Sequence, residues 1–159
     1  MGSIKELLAK VKRESRVFNL DGVELEVCRL NNNQYNELHR RYGANFLSGN
    51  PEDYRMRPDL LRAMVAMAAK PFYPDVTDAD IGEILTARAL QSPEFIGMLL
   101  YIQGQPDNIV NEQMEQARIA LQQRQGEMAA SVAAANAQRI AREPNEERIS
   151  GPDRIGSEP

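Results

Sequence analysis

The segment SPEFIGMLLYIQG, Ser92 to Gly104, constrains this chain most, because it is apolar on nearly every helical face and so has to sit mid-core. Ser92 suits an N-cap, Pro93 sits where a first helical position tolerates a missing N–H, and Glu94 puts negative charge on the positive end of the helix dipole. Gly104 then ends the helix. A bilayer span needs about 20 apolar residues, so this segment reads as a buried core helix, and no transmembrane segment is expected elsewhere. At 159 residues the chain has room for one domain of ordinary size plus a tail.

Upstream, Ser3 and Glu6 stand at capping-box spacing, and Ile4, Leu7, Leu8 and Val11 recur at helical intervals. They predict an amphipathic helix from Ile4 to about Arg13, whose basic face of Lys5, Lys12 and Arg13 is read as solvated. Next comes RVFNLDGVELEVCRL, with Asp21-Gly22 between two alternating runs, the strongest short-range hairpin signal. A two-residue turn sets Leu20 opposite Val23, Phe18 opposite Leu25 and Arg16 opposite Val27. Phe18, Leu20, Val23, Leu25 and Val27 then share the packed face. Val17, Asn19, Glu24, Glu26 and Cys28 fall on the wetter one.

Asn31 to Asn33 cap a predicted helix over about Gln34 to Tyr42, with Tyr35, Leu38 and Tyr42 on one side and Gly43 at its end. Residues 44–57 read as loop, and Pro58-Asp59 opens a helix to about Ala69 with a Leu61, Met64, Val65, Ala68 stripe. Pro71 and Pro74 bracket the rigid turn PFYPDV, whose Phe72 and Tyr73 plug the side of the core or anchor a partner. Thr77 and Asp80 have capping-box spacing for a helix carrying Ile81, Ile84 and Leu85 to about Leu90.

Beyond Asn108 the composition shifts to Gln, Ala, Glu and Arg, with high helix propensity to Pro144. A heptad-like track through Val110, Met114, Ala117 and Leu121 meets Arg124, which is poor for a coiled coil. Two readings stay open: a long amphipathic arm that waits for a partner, or a partly frayed helical tail. The expected fold is therefore mainly α with one N-terminal β-hairpin, an α+β class. A small helical domain over 1–107 packs on a hairpin at about 16–30, a helical or partly disordered arm covers 108–143, and a disordered tail covers 144–159. Met114, Ile119, Leu121 and Met128 join Phe72 and Tyr73 as partner-binding candidates. Leu99→Asp is expected to unfold the domain, and Met114→Asp to spare folding and weaken partner binding.

Several function classes fall away. The net charge is −4, and only residues 1–42 lean basic, with 8 Lys/Arg against 6 Asp/Glu, which argues against nonspecific nucleic-acid binding. The single cysteine, Cys28, permits no internal disulfide and fits a reducing compartment. The start MGSIKELLAK lacks the apolar core of a secretory signal, and Glu6 stands where a myristoylation site wants Ser or Thr. His39 is the sole histidine and has no second ligand set at metal-like spacing. Asp75, Asp78, Asp80 and Glu83 are wrongly spaced for an EF-hand and read as helix-start carboxylates. With no P-loop, dinucleotide fingerprint or nucleophile elbow, neither catalysis nor a cofactor or metal is expected.

The order of parts resembles phage tail assembly chaperones: a short N-terminal helix, VFNLDGVELEVCRL, NNNQYNELHRRYG, then acidic-capped small helices ending in FIGMLLYIQG. The resemblance covers about residues 1–105 and rests on pattern and length. It implies a factor in the host cytoplasm that coats the hydrophobic tape measure protein, keeps it soluble and helps recruit tail tube subunits, without nucleic acid or membrane. The alternative is a structural tail or connector component retained in the phage or prophage particle. Self-association stays open. Mass action through an adaptable, Met-rich surface would suffice for such a chaperone.

Overall fold

The computed structural model describes residues 2–10, 14–43 and 57–149. The expected loop, residues 44–56 of it, and the expected tail from 150 onward lie outside the described residues, as does the 11–13 end of the first helix.

Asp21 and Gly22, at φ 53° and 91°, close a two-residue turn of the primed kind, which glycine and aspartate tolerate best. Asn19 Oδ1 accepts the Gly22 N–H at 2.8 Å. This turn joins strand β1 (Ser15–Leu20) to β2 (Val23–Cys28) as a two-stranded antiparallel sheet. The register is the one expected from the turn: Leu20 with Val23, Phe18 with Leu25, Arg16 with Val27. Phe18, Leu20, Leu25 and Val27 are buried, as the packed face requires.

Two hairpin residues depart from the alternation. Val23 is 44% exposed, because it stands at the turn end, past the helices that cover the rest of the face. Cys28, expected on the wetter face, is buried, and its thiol donates to the Ala68 carbonyl at 3.3 Å. Here the end of a later helix closes over the second face of β2. Alternation within a strand cannot register that cover.

The hairpin is preceded by helix α1 (Ile4–Lys10) and followed by α2 (Asn32–Tyr42). A capping box between Asn31 and Gln34 starts α2, at 2.9 Å in each direction, and Leu38 is its buried anchor. Helix α3 (Pro58–Ala69) has proline in its first turn and buries Leu60, Leu61, Ala63, Met64, Val65, Ala66, Ala68 and Ala69. It is therefore as central as the Ser92–Gly104 segment, which was expected to hold that place alone. Four of those residues are alanines, which carry little apolar area each but permit close approach of neighbouring elements.

The helix expected to run to Leu90 is two helices, α4 (Asp78–Ile84) and α5 (Ala87–Leu90). Leu85 leaves helical geometry at ψ 64°, and Thr86 caps a fresh start, its hydroxyl accepting from the Ala89 N–H at 3.1 Å. A mid-helix threonine that can cap competes with helix continuation. Helix α6 (Pro93–Ile102) begins at Ser92, which accepts from the Phe95 N–H at 3.3 Å, and Gly104 beyond it has φ 91°. Pro93, Phe95, Gly97, Met98, Leu99, Tyr101 and Ile102 are buried, and the Leu30 N–H donates to the Ile102 carbonyl at 3.0 Å, tying α6 to the end of the hairpin.

Helix α7 (Asp107–Ile149) closes the order. It continues through Pro144, where the sequence reading placed the start of a disordered tail. An interior proline costs about 3 kcal/mol in a helix, which is why propensity alone predicts a stop there. The chain forms two compact units, residues 1–118 and 119–159. Val110, fully buried, anchors the first turn of α7 in the first unit. The fold is mostly helical with one N-terminal hairpin, the α+β class that the sequence predicts.

Candidate interaction surface

In the first unit, the PFYP turn leaves α3 with two backbone bonds, from Phe72 and Tyr73 N–H to the Ala69 carbonyl, both at 3.0 Å. Tyr73 is 40% exposed, yet its hydroxyl accepts the Glu26 N–H of β2 at 3.3 Å, so its tip is fastened to the sheet edge. Phe72 is half-buried. Between this turn, the start of β2 and α4 runs an open groove of about 580 Å³, lined among others by Val23, Leu25, Tyr73, Val76 and Ile84. That volume lies within the range of small-ligand sites, about 300–1,000 Å³.

The polar rim of the groove is acidic: Glu24, Asp75 and Asp80. Asp80 also caps α4, accepting from the Thr77 hydroxyl at 2.7 Å and the Thr77 N–H at 2.8 Å. The hydroxyl bond first, and the backbone bond second, hold its carboxyl below the usual aspartate value and keep it charged. Sequence reasoning found Phe72 and Tyr73 but missed this rim and floor. Glu24 and Asp75 lie far apart in sequence, and only the packing of the turn against β2 brings them together.

Met114 belongs elsewhere. It is half-buried and packs against the core, over Gly97 of α6, where an added Cβ would overlap its Cγ and Sδ. Its sulfur also lies 3.9 Å from the Arg16 guanidinium. Met114 is therefore a packing residue of the first unit, and the expectation that Met114→Asp spares folding is corrected.

Beside it sits a polar cluster that joins the hairpin to α7. Arg29 lies 4.2 Å over the Tyr101 ring and pairs with Glu14 at 2.8 Å and Asp107 at 3.1 Å, while donating to the Gln105 carbonyl at 3.1 Å. Arg16 donates to Asn111 at 2.7 Å and lies 3.8 Å from Asp107. These groups neutralise one another and hold the hairpin to the start of α7. Burial raises the Tyr101 phenol above its ordinary value, with the Arg29 charge acting in the opposite sense. Arg29, Tyr101 and Asp107 are accounted for by this structural role, with no substrate needed.

In the second unit, Ile119 is 46% and Met128 68% exposed, and Leu121 is half-buried. Val132 and Ile140, which sequence reasoning did not single out, are 59% and 62% exposed. At about 3.6 residues per turn, Leu121, Met128 and Val132 share one face, whereas Ile119 falls on the opposite side from Met128. The sequence signal for Val132 was its position four residues after Met128. Among the described residues no group of three or more His, Cys, Asp or Glu side chains is placed to hold a metal ion, and no helix is long and apolar enough to cross a membrane. No protein-family model, curated protein or solved structure matches this chain.

Proposed function

We propose that this protein is a non-enzymatic assembly factor of the phage tail chaperone type, which binds apolar helical segments of a tape measure protein in the host cytoplasm and helps gather tail tube subunits around it. The observation that supports this reading most is the Leu121, Met128, Val132 face of α7, with methionine and valine largely in solvent. An exposed aliphatic stripe on a helix suits helix-to-helix recognition, and methionine adapts to varied apolar partners at low cost. The weak amphipathicity of α7 taken as a whole fits reversible binding rather than a permanent seam. Release is then a matter of mass action, without nucleotide chemistry.

Coexpression tests it. The soluble fraction of a tape measure segment encoded beside this protein should rise in its presence, and Met128→Asp combined with Val132→Asp should remove most of that gain. Unchanged solubility of the segment overturns the reading. Mass spectrometry of purified particles addresses the structural-component alternative, since a chaperone is absent from them and a tail or connector subunit is present in fixed ratio.

A further inference from the structure

Two surfaces of the first unit stand uncovered and are complementary in charge. Helix α1 presents Ile4, Leu7 and Leu8, spaced i, i+3, i+4, at 73%, 60% and 66% exposure. Lys5 is exposed beside them. Residues 1–14 carry four cationic side chains, Lys5, Lys10, Lys12 and Arg13, against two carboxylates, Glu6 and Glu14. One of those carboxylates is engaged locally, Glu6 accepting from the Ser3 N–H at 3.0 Å. The groove beside the PFYP turn is the counterpart: an apolar floor of Val23, Leu25, Val76 and Ile84 under the acidic rim of Glu24, Asp75 and Asp80, with no basic residue in its lining.

We propose that α1 of a second copy of this chain docks in this groove, with Ile4, Leu7 and Leu8 on the floor and Lys5 facing the rim. A short amphipathic helix laid into an apolar groove, reading i, i+3, i+4 anchors, is a common recognition mode. Charge complementarity sets which helix enters: the acidic rim disfavours segments with carboxylates flanking their apolar face and favours a basic one. Each chain carries both surfaces, so reciprocal exchange closes a two-fold dimer with none left over.

Docking in the chain's own groove is disfavoured by reach. Ser15 pairs with Cys28 at the open end of the hairpin, whereas the groove borders the turn end at Val23 and Glu24. Five Cα steps join Lys10 to Ser15, about 17 Å fully extended, which only matches the hairpin's length of about 17 Å from Ser15 to Leu20. An α1 seated over Val23 of its own chain would need that segment nearly straight. The proposal uses no part of the α7 face, so it stands or falls separately from the chaperone reading.

The test is molar mass by light scattering over a concentration series, on the full chain, with circular dichroism confirming that every variant is folded. Wild-type protein should pass from one chain to two as concentration rises, and less readily at high salt. Lys5→Glu with Lys10→Glu reverses the helix, and Glu24→Lys with Asp75→Lys reverses the rim while sparing Asp80, which caps α4. Either pair alone should weaken association by about tenfold or more, and mixing the two reversed proteins should restore it. Leu7→Ala with Leu8→Ala should weaken it with no rescue from the rim reversal. A single-chain mass at every concentration, or association that neither reversal changes, overturns the proposal.

Discussion

Met114 rests on Gly97 so closely that α6 has room there for a hydrogen and not for a methyl group. The contact fixes the start of α7 against α6 and explains why Gly97, in mid-helix and buried, is not an alanine. Overpacking costs about 1–3 kcal/mol, and alanine's better helix propensity returns about 1 kcal/mol, so Gly97→Ala should destabilise by about 1 kcal/mol. In a Met114→Ala background the methyl has space, and the same change should be neutral or stabilising. Urea denaturation of the four proteins in this cycle reads the sign; the same destabilisation in both backgrounds would show that the two residues do not compete for this space.

Tyr101 predicts an alkaline dependence. Its phenol is raised by burial, so the folded state resists ionisation more than the unfolded chain does. The stability tied to this group is intact below the ordinary tyrosine value, near 10, and is lost as pH rises through the higher folded value. Tyr101→Phe keeps the ring under Arg29 and removes the titration. Wild type and variant should therefore run in parallel below about pH 9 and diverge above 10, with the variant retaining more stability. Parallel curves through pH 11 would show that the phenolate is accommodated.

Leu99 and Met128 separate core from candidate contact surface. Leu99 is 3% exposed, and an aspartate there would be an unpaired buried charge, so Leu99→Asp should abolish cooperative unfolding and most of the near-native dichroism. Met128 is 68% exposed, and Met128→Asp should change stability by no more than about 0.7 kcal/mol, the helix-propensity difference. A folded Leu99→Asp protein would contradict the assigned core. Global unfolding by Met128→Asp would mean that its face is already packed.

Much of the fold was legible because it is specified locally. The Asp21-Gly22 turn accepts positive φ at both positions and so dictates the register from Leu20–Val23 outward. Ser92, Thr77 and Asn31 announce their helices through caps that need only neighbours within three residues. The break at Leu85 was missed although Thr86 was visible, because an apolar stripe from Ile81 outweighed a cap whose use depends on the surrounding packing. The candidate interaction surface was legible only in part. Phe72, Tyr73 and Met128 stand out by residue type, but Met114 looked identical to Met128 until Gly97 was placed beneath it.

The sequence by itself determined most of the elements, their order and the register of the hairpin, since turn chemistry, caps and helical periodicity act over a few residues. Tertiary structure alone decided the rest: that Cys28 is enclosed, that α3 shares the centre with the Ser92–Gly104 helix, and that Glu24, Asp75 and Asp80 rim one groove. Burial, close approach and clustered charge are properties of pairs distant in sequence. They exist only once the elements have packed.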